Sequence, residues 1–158
     1  MKPVLQALLV ADRVYEDKAT GKKVVAGIFR QLHFKKPEDL KAELEKKGLP
    51  GNVVLGGLDA GSPWVYASLT DVRGTQPLGL RYVSLDEDKV VFETQLTVSC
   101  GDPLATLEIV APLPKLPTAR AGTYALELVW NDEPLGAFRI IVKEFHVGGP
   151  SNDATATD

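Results

Sequence analysis

A chain of 158 residues is long enough for one domain burying roughly 70% of the surface its unfolded form exposes, so it needs no disulfide or metal to hold a core. Its composition, 44% hydrophobic and 25% charged with 14 glycines and 11 prolines, is that of a globular protein with many turns and excludes disorder for most of its length. The net charge of −3 comes from 18 basic and 21 acidic residues mixed along the chain, which excludes the basic block that nucleic acid capture requires.

The chain opens on Lys2 and an apolar run, residues 4–11. That run has the outline of an export signal, but it is short, contains Gln6, and meets Asp12 and Arg13 rather than a small-residue cleavage site. No stretch approaches the ~18 apolar residues of a membrane span. The same segment, continued to Tyr15, is apolar on both faces of an extended chain, so a first strand buried on both sides or paired early in folding is expected. A polar turn with Gly21 follows, and residues 23–34 read as a second strand whose inward face is either Val24, Ala26, Ile28 and Leu32 or Val25 and Phe29.

Residues 36–48 carry the signals of a single helix: Pro37 in the first turn, Glu38 and Asp39 at the positive end, Lys46 and Lys47 at the negative end, and Gly48 as a stop. Leu40 and Leu44 lie one turn apart and provide a thin apolar stripe that backs onto a sheet. The acidic residues among Lys35, Lys36, Lys41, Lys46 and Lys47 make this a solvated face rather than a basic patch. The glycine-rich residues 51–61 invite comparison with a phosphate loop. They lack the strand, the glycine spacing, the following helix and the Lys with Ser or Thr that such a cradle uses, and read as a crossing loop.

From Trp64 the strand pattern resumes over residues 64–72, 78–85, 89–99 and 104–111. In residues 90–98, Val90, Phe92, Leu96 and Val98 share one face and Glu93, Gln95 and Thr97 the other, so one face is expected to be wet. Asp86, Glu87 and Asp88 supply turn chemistry between two strands. Pro112, Pro114 and Pro117 cannot donate to a ladder, so this segment should pass between sheets. Residues 122–130, the polar residues 131–134 and residues 135–142 read as a closing hairpin. The last segment, residues 148–158, has no large apolar side chain and reads as a flexible tail.

Several residues invite a chemical role. Trp64, Tyr66, Tyr82 and Trp130 could line a groove for a sugar, a peptide or a partner protein, and Tyr124 resembles a buried strand tyrosine whose hydroxyl finds a polar partner. Asp12, Asp17, Asp59, Asp71, Asp86, Asp88 and Asp132 sit in expected turns. Three such turns meeting at one end could surround calcium, although aspartate also serves turns by bonding local backbone. Ser62, Ser68, Ser84 and Ser99 lack a nucleophile turn, and His33 and His146 lack a second ligand at a fixed offset for zinc. Cys100 is the only cysteine. It excludes an internal disulfide, suits a reducing compartment, and follows an apolar alternation as a small buried hydrophobe would. A cytoplasmic location is therefore expected.

The opening residues 6–15 with the Gly21 turn and residues 24–29, and the closing residues 121–128 with Leu135, Gly136, Ala137 and Phe138, resemble the two ends of an uncharacterised bacterial domain family. In it, an Ala-Leu-x-x-x-Asp strand precedes a Gly-Lys turn and a strand ending in Gly-x-Phe. The closing hairpin also resembles that of immunoglobulin-like sandwiches. The resemblance covers about half the chain and implies a fold without an activity or catalytic residues.

The expected fold is all-β, a two-sheet antiparallel β-sandwich of immunoglobulin-like or C2-like type with one short helix in a connection. Residues 1–147 form its single domain, and 148–158 the tail. The expected function is a non-enzymatic module for binding or assembly, with a protein partner or self-association, no cofactor, no metal, no nucleic acid and no membrane span. The alternatives are a carbohydrate- or calcium-dependent ligand binder using Trp64, Trp130 and the loop aspartates, and a self-assembling protein that pairs exposed strands near residues 5–10 or 139–142.

Overall fold

The computed structural model of the chain describes residues 1–34, 42, 45–48, 63–116 and 120–144. Among these, the strands are β1 (Val4–Glu16), β2 (Lys23–Ile28), β3 (Gln31–Phe34), β4 (Trp64–Thr70), β5 (Gly74–Ser84), β6 (Lys89–Cys100), β7 (Leu107–Pro112), β8 (Gly122–Trp130) and β9 (Glu133–Glu144). They form two sheets, a four-stranded one in the order β2-β1-β4-β7 and a five-stranded one in the order β3-β9-β8-β5-β6.

Period-2 alternation decides which side chains meet between the sheets. Val10, Val65, Ala67 and Leu69 from the four-stranded sheet and Leu78, Leu80, Tyr82, Leu126, Leu128, Phe138 and Ile140 from the five-stranded sheet join one buried cluster. Each such leucine or valine contributes about 1.5–3 kcal/mol relative to exposure, so this shared layer is what holds the two sheets face to face. The proline segment makes the expected crossing. β7 ends at Pro112 in one sheet and β8 begins in the other, while Leu113 and Leu116 are buried between them and the Leu113 amide donates to the Pro63 carbonyl at 2.7 Å.

The closing hairpin turns more tightly than residues 131–134. Asn131 and Asp132 alone form the turn with φ of +48° and +65°, Trp130 faces Glu133, and Pro134 already lies in β9. Two left-handed residues give the two-residue turn whose twist matches that of paired strands. Between β5 and β6, Asp88 takes φ of +49° in a turn bracketed by Ser84 and Lys89. Asp86 Oδ2 accepts the Thr123 amide at 2.8 Å and ties this turn to the start of β8.

Three expectations are corrected. Residues 23–34 are not one strand: β2 pairs with β1 and β3 with β9, in different sheets. The break follows Gly27, whose φ of +73° interrupts an extended ladder and whose missing Cβ leaves room for the Asp12 carboxylate. The chain then changes sheets through Phe29 and Arg30, whose carbonyl accepts the Ile141 amide at 2.8 Å and whose guanidinium lies 5.0 Å from the centre of the Phe138 ring. Second, because the chain crosses over instead of reversing, β3 runs parallel to β9, so the architecture is not wholly antiparallel.

Third, Val90 does not share the inward face of Phe92, Leu96 and Val98. The register shifts between Tyr82 opposite Phe92 and Val83 opposite Val90, leaving Val91 unpaired. A bulge of this kind reverses the facing of everything beyond it, and Val90 is 47% exposed while Val91 packs on the core. The helix expected over residues 36–48 falls largely outside the described residues, although Ala42, Glu45 and Lys46 have helical backbone. The glycine-rich residues 51–61 and the tail over 148–158 also lie outside them.

Candidate interaction surface

The four aromatic residues singled out in the sequence do not form one groove. Tyr82 is fully buried on β5, stacked on Tyr124 with ring centres 5.1 Å apart and 5.6 Å from Phe92. It is therefore a core residue and is withdrawn from any ligand surface. Trp130 closes one end of the core, where its indole Nε1 donates to Gln76 Oε1 at 3.1 Å.

Trp64 and Tyr66 do come together. Val65, Ala67 and Leu69 of β4 point into the core, so the alternate residues Trp64, Tyr66 and Ser68 occupy the outer face of the four-stranded sheet. Strand register supplies their neighbours. Tyr66 lies between Leu9 of β1 and Val110 of β7, and Trp64 between Ala11 and Pro112; Ala11 is in turn opposite Ile28 of β2. Both aromatic residues, Leu9 and Val110 are half-buried, Ile28 is 49% exposed, and Ala11 is covered by its larger neighbours. The result is an aromatic and aliphatic band across four strands, on a face that ordinarily carries polar alternates.

One polar arrangement borders the band. The Tyr66 hydroxyl donates to Glu108 Oε1 at 2.6 Å. This bond, with burial adding to it, holds the Tyr66 pKa above its usual value of 10.0, because ionising the phenol would break the bond and set two anions together. Lys23 on β2 is paired with Glu16. That hydrogen bond, with further help from the charges of Glu16 and Glu108, raises the Lys23 pKa.

A second feature lies on the outer face of the five-stranded sheet, where a shallow cleft of about 190 Å³ is lined by Pro77, Gly79, Arg81, Glu93, Gln95 and Asp132 among others. Arg81 Nε stands 3.2 Å from Glu93 Oε2, and its Nη2 donates to Asp132 Oδ1 at 3.0 Å. Gly79 leaves the floor open, since a Cβ there would approach Glu93 Oε1 to 3.3 Å. One guanidinium faces two carboxylates, so the cleft is left acidic, and Arg81 Nε, although close to Glu93, makes no hydrogen bond among the described residues. Sequence reading missed this cluster because pairing counted back from the β5–β6 turn puts Phe92, not Glu93, opposite Arg81 until the bulge at Val91 is included. The available signal was one arginine and one glutamate on the wet faces of consecutive apolar strands.

The loop aspartates serve separate local tasks. Asp17 Oδ1 accepts the Ala19 amide at 2.8 Å, Asp86 holds Thr123, Asp132 holds Arg81, and Asp71 and Asp88 occupy left-handed turn positions. Among the described residues, no three His, Cys, Asp or Glu side chains gather as metal ligands; Asp59 and His146 lie outside those residues. His33 sits on β3 opposite Lys143. Ser68 is buried, Ser84 Oγ accepts the Glu87 amide at 3.3 Å, and Ser99 meets Thr75 at 3.2 Å. The Cys100 thiol, half-buried, donates to the Asp102 carbonyl at 3.0 Å. No helix among the described residues is long and apolar enough to cross a membrane.

No family model matches the chain, and no curated protein matches it in sequence.

Proposed function

We propose that this chain is a non-enzymatic module of immunoglobulin-like type, related to the uncharacterised bacterial family that its two ends resemble, and that it binds a protein partner in the cytoplasm. The observation that carries the reading is the band of Leu9, Trp64, Tyr66 and Val110 on the outer face of the four-stranded sheet. Contiguous apolar and aromatic side chains, bordered by the Lys23–Glu16 ion pair and the Tyr66–Glu108 hydrogen bond and rigid on a sheet, are suited to a protein surface because they exclude water at little entropic cost.

Two features favour the immunoglobulin-like type over the C2-like one. β5, β8 and β9 build one sheet and β4 and β7 the other, while an early strand switches sheets to run beside the last. Tyr124, near the start of β8, donates its hydroxyl to the Arg120 carbonyl four residues upstream at 3.0 Å, as the tyrosine corner of these sandwiches does. The single cysteine suits a reducing compartment.

The test is site-specific photo-crosslinking in cells, with the photoreactive residue at position 66 and, as control, at position 18 in the β1–β2 turn. The expected result is an adduct at position 66 alone that disappears in Val110→Lys, which sets a charge beside Tyr66 on an edge strand. Equal adducts at both positions, or an adduct indifferent to Val110→Lys in a folded variant, would reject the surface.

A further inference from the structure

Among the described residues, the four outermost strands of the two sheets are not equally protected. β2 is 6 residues long and is broken at Gly27, β3 has only 4 residues, and β7 has 6 and ends in Pro112, which has no N–H to offer. Short strands, irregular backbone and proline are the usual guards against unwanted pairing. β6 differs: it is 12 residues long, contains no proline, and among the described residues pairs only with β5. Its one irregularity is the bulge at Val91, and from Phe92 to Cys100 it runs in unbroken register opposite β5. One row of backbone N–H and C=O groups along that stretch therefore faces away from the sheet.

The side chains on this stretch are equally undefended. On the inward face Phe92, Leu96 and Cys100 are only half-buried, so the rim of the core stays open along β6. On the outer face Gln95, Thr97 and Ser99 are exposed and uncharged. The only charge between residues 92 and 100 is Glu93, which Arg81 neutralises from β5.

We infer that the free edge of β6 pairs antiparallel with the β6 of a second copy of this chain about a two-fold axis at Leu96, so that the two five-stranded sheets become one. This inference is independent of the partner surface on the other sheet. A second copy fits because the stretch is self-complementary in this register. Phe92 faces Cys100, Thr94 faces Val98, and Leu96 meets its own copy, which covers the open core rim on both sides. On the outer face Glu93 meets Ser99 and Gln95 meets Thr97, so no like charges oppose one another. Although each chain carries a net charge of −3, the strip at which the two copies join is locally neutral.

The register supplies its own test. In the dimer, Gln95→Lys with Thr97→Lys places two lysines of one copy opposite two of the other, whereas Gln95→Lys with Thr97→Glu sets lysine opposite glutamate twice. Both positions are exposed in the monomer, and circular dichroism checks that each variant keeps the native spectrum. Sedimentation equilibrium on the full chain should show a dimer for the natural sequence, dimer dissociation strengthened roughly tenfold or more in the Lys/Lys variant, and dimer retention in the Lys/Glu variant. A natural sequence that stays monomeric up to its solubility limit overturns the inference. So does a dimer indifferent to the Lys/Lys change, or one weakened equally by both double variants.

Discussion

Tyr82 and Tyr124 lie against each other in the core, so removing the same atom from each gives a controlled comparison. The rings stack at 5.1 Å with an interplanar angle of 8°, and phenylalanine at either position preserves that packing. The two hydroxyls differ. Tyr124 Oη donates to the Arg120 carbonyl at 3.0 Å, whereas Tyr82 Oη is buried without a partner among the described residues. Removing a satisfied neutral hydrogen bond costs about 0.5–1.5 kcal/mol net, and because Arg120 is exposed, water can replace the lost donor and keep the loss toward the low end. Removing an unsatisfied hydroxyl relieves a desolvation cost of about 1–3 kcal/mol. Tyr124→Phe should therefore lower stability by about 0.5 kcal/mol and Tyr82→Phe should raise it by about 1 kcal/mol or more. In a domain of this size, each 1 kcal/mol moves the melting temperature by about 2–4 °C. Urea denaturation at pH 7 with thermal melts by circular dichroism measures both. If Tyr82→Phe destabilises as much as Tyr124→Phe, the Tyr82 hydroxyl has a bound partner and the reasoning fails.

Alkaline pH should unfold the protein through its tyrosines. Tyr66, Tyr82 and Tyr124 all have pKa values raised above 10.0, Tyr66 chiefly by its bond to Glu108 and the other two chiefly by burial. Above pH 10 the unfolded chain loses these protons while the folded chain keeps them, so stability falls as pH rises through the folded-state values; urea midpoints that stay flat from pH 9 to pH 11 would contradict this. Gly27→Ala should cost about 1–2 kcal/mol for the left-handed backbone and should also displace the Asp12 carboxylate, so that adding Asp12→Ala recovers part of the loss in a double-mutant cycle by chemical denaturation. The bulge in β6 predicts unlike responses from two valines. Val90→Thr, at an exposed site, should change stability by less than about 0.5 kcal/mol, whereas Val98→Ala, in the core, should cost about 2 kcal/mol for two lost methyl groups and the cavity they leave.

Strand-forming segments were legible because period-2 patterning is local. Trp64–Thr70, Lys89–Cys100 and the closing hairpin fall where alternation puts them, and the proline segment declares itself by lacking N–H groups. What alternation cannot carry is a change of phase or of partner. The bulge at Val91 turns Val90 outward, yet its cause is the pairing with β5 and not the residues of β6. The crossover after Gly27 looked like an uninterrupted strand because glycine is also tolerated in extended backbone; only its positive φ reveals the switch that sends β3 beside β9. The aromatic candidates failed for a related reason. Trp64 and Tyr66 share a face two residues apart, but whether Tyr82 points inward depends on which face of β5 meets the other sheet, a tertiary fact. The strands first considered for self-pairing illustrate the same limit. Ile141 and Val142 lie between β8 and β3 and so are not an outer edge, whereas residues 5–9 pair with β4 on one side only, because β2 joins β1 from Ala11 onward.

The two proposed surfaces have a joint consequence. A two-fold axis perpendicular to the sheet at Leu96 keeps the inner faces of both five-stranded sheets on one side, so the four-stranded sheets of the two copies also stack on that side. Their Trp64–Tyr66 bands then point the same way, and the dimer meets a partner-bearing surface with two sites at once. Linked sites of this kind gain avidity of about 10²–10⁴ over one site without any new contact. Gln95→Lys with Thr97→Lys should leave the affinity for a soluble, monovalent partner unchanged while shortening retention on a surface densely coated with that partner. Val110→Lys should weaken both. Equal retention on the dense surface of a dimeric natural protein and a monomeric Lys/Lys protein would mean that the two bands do not face the same way.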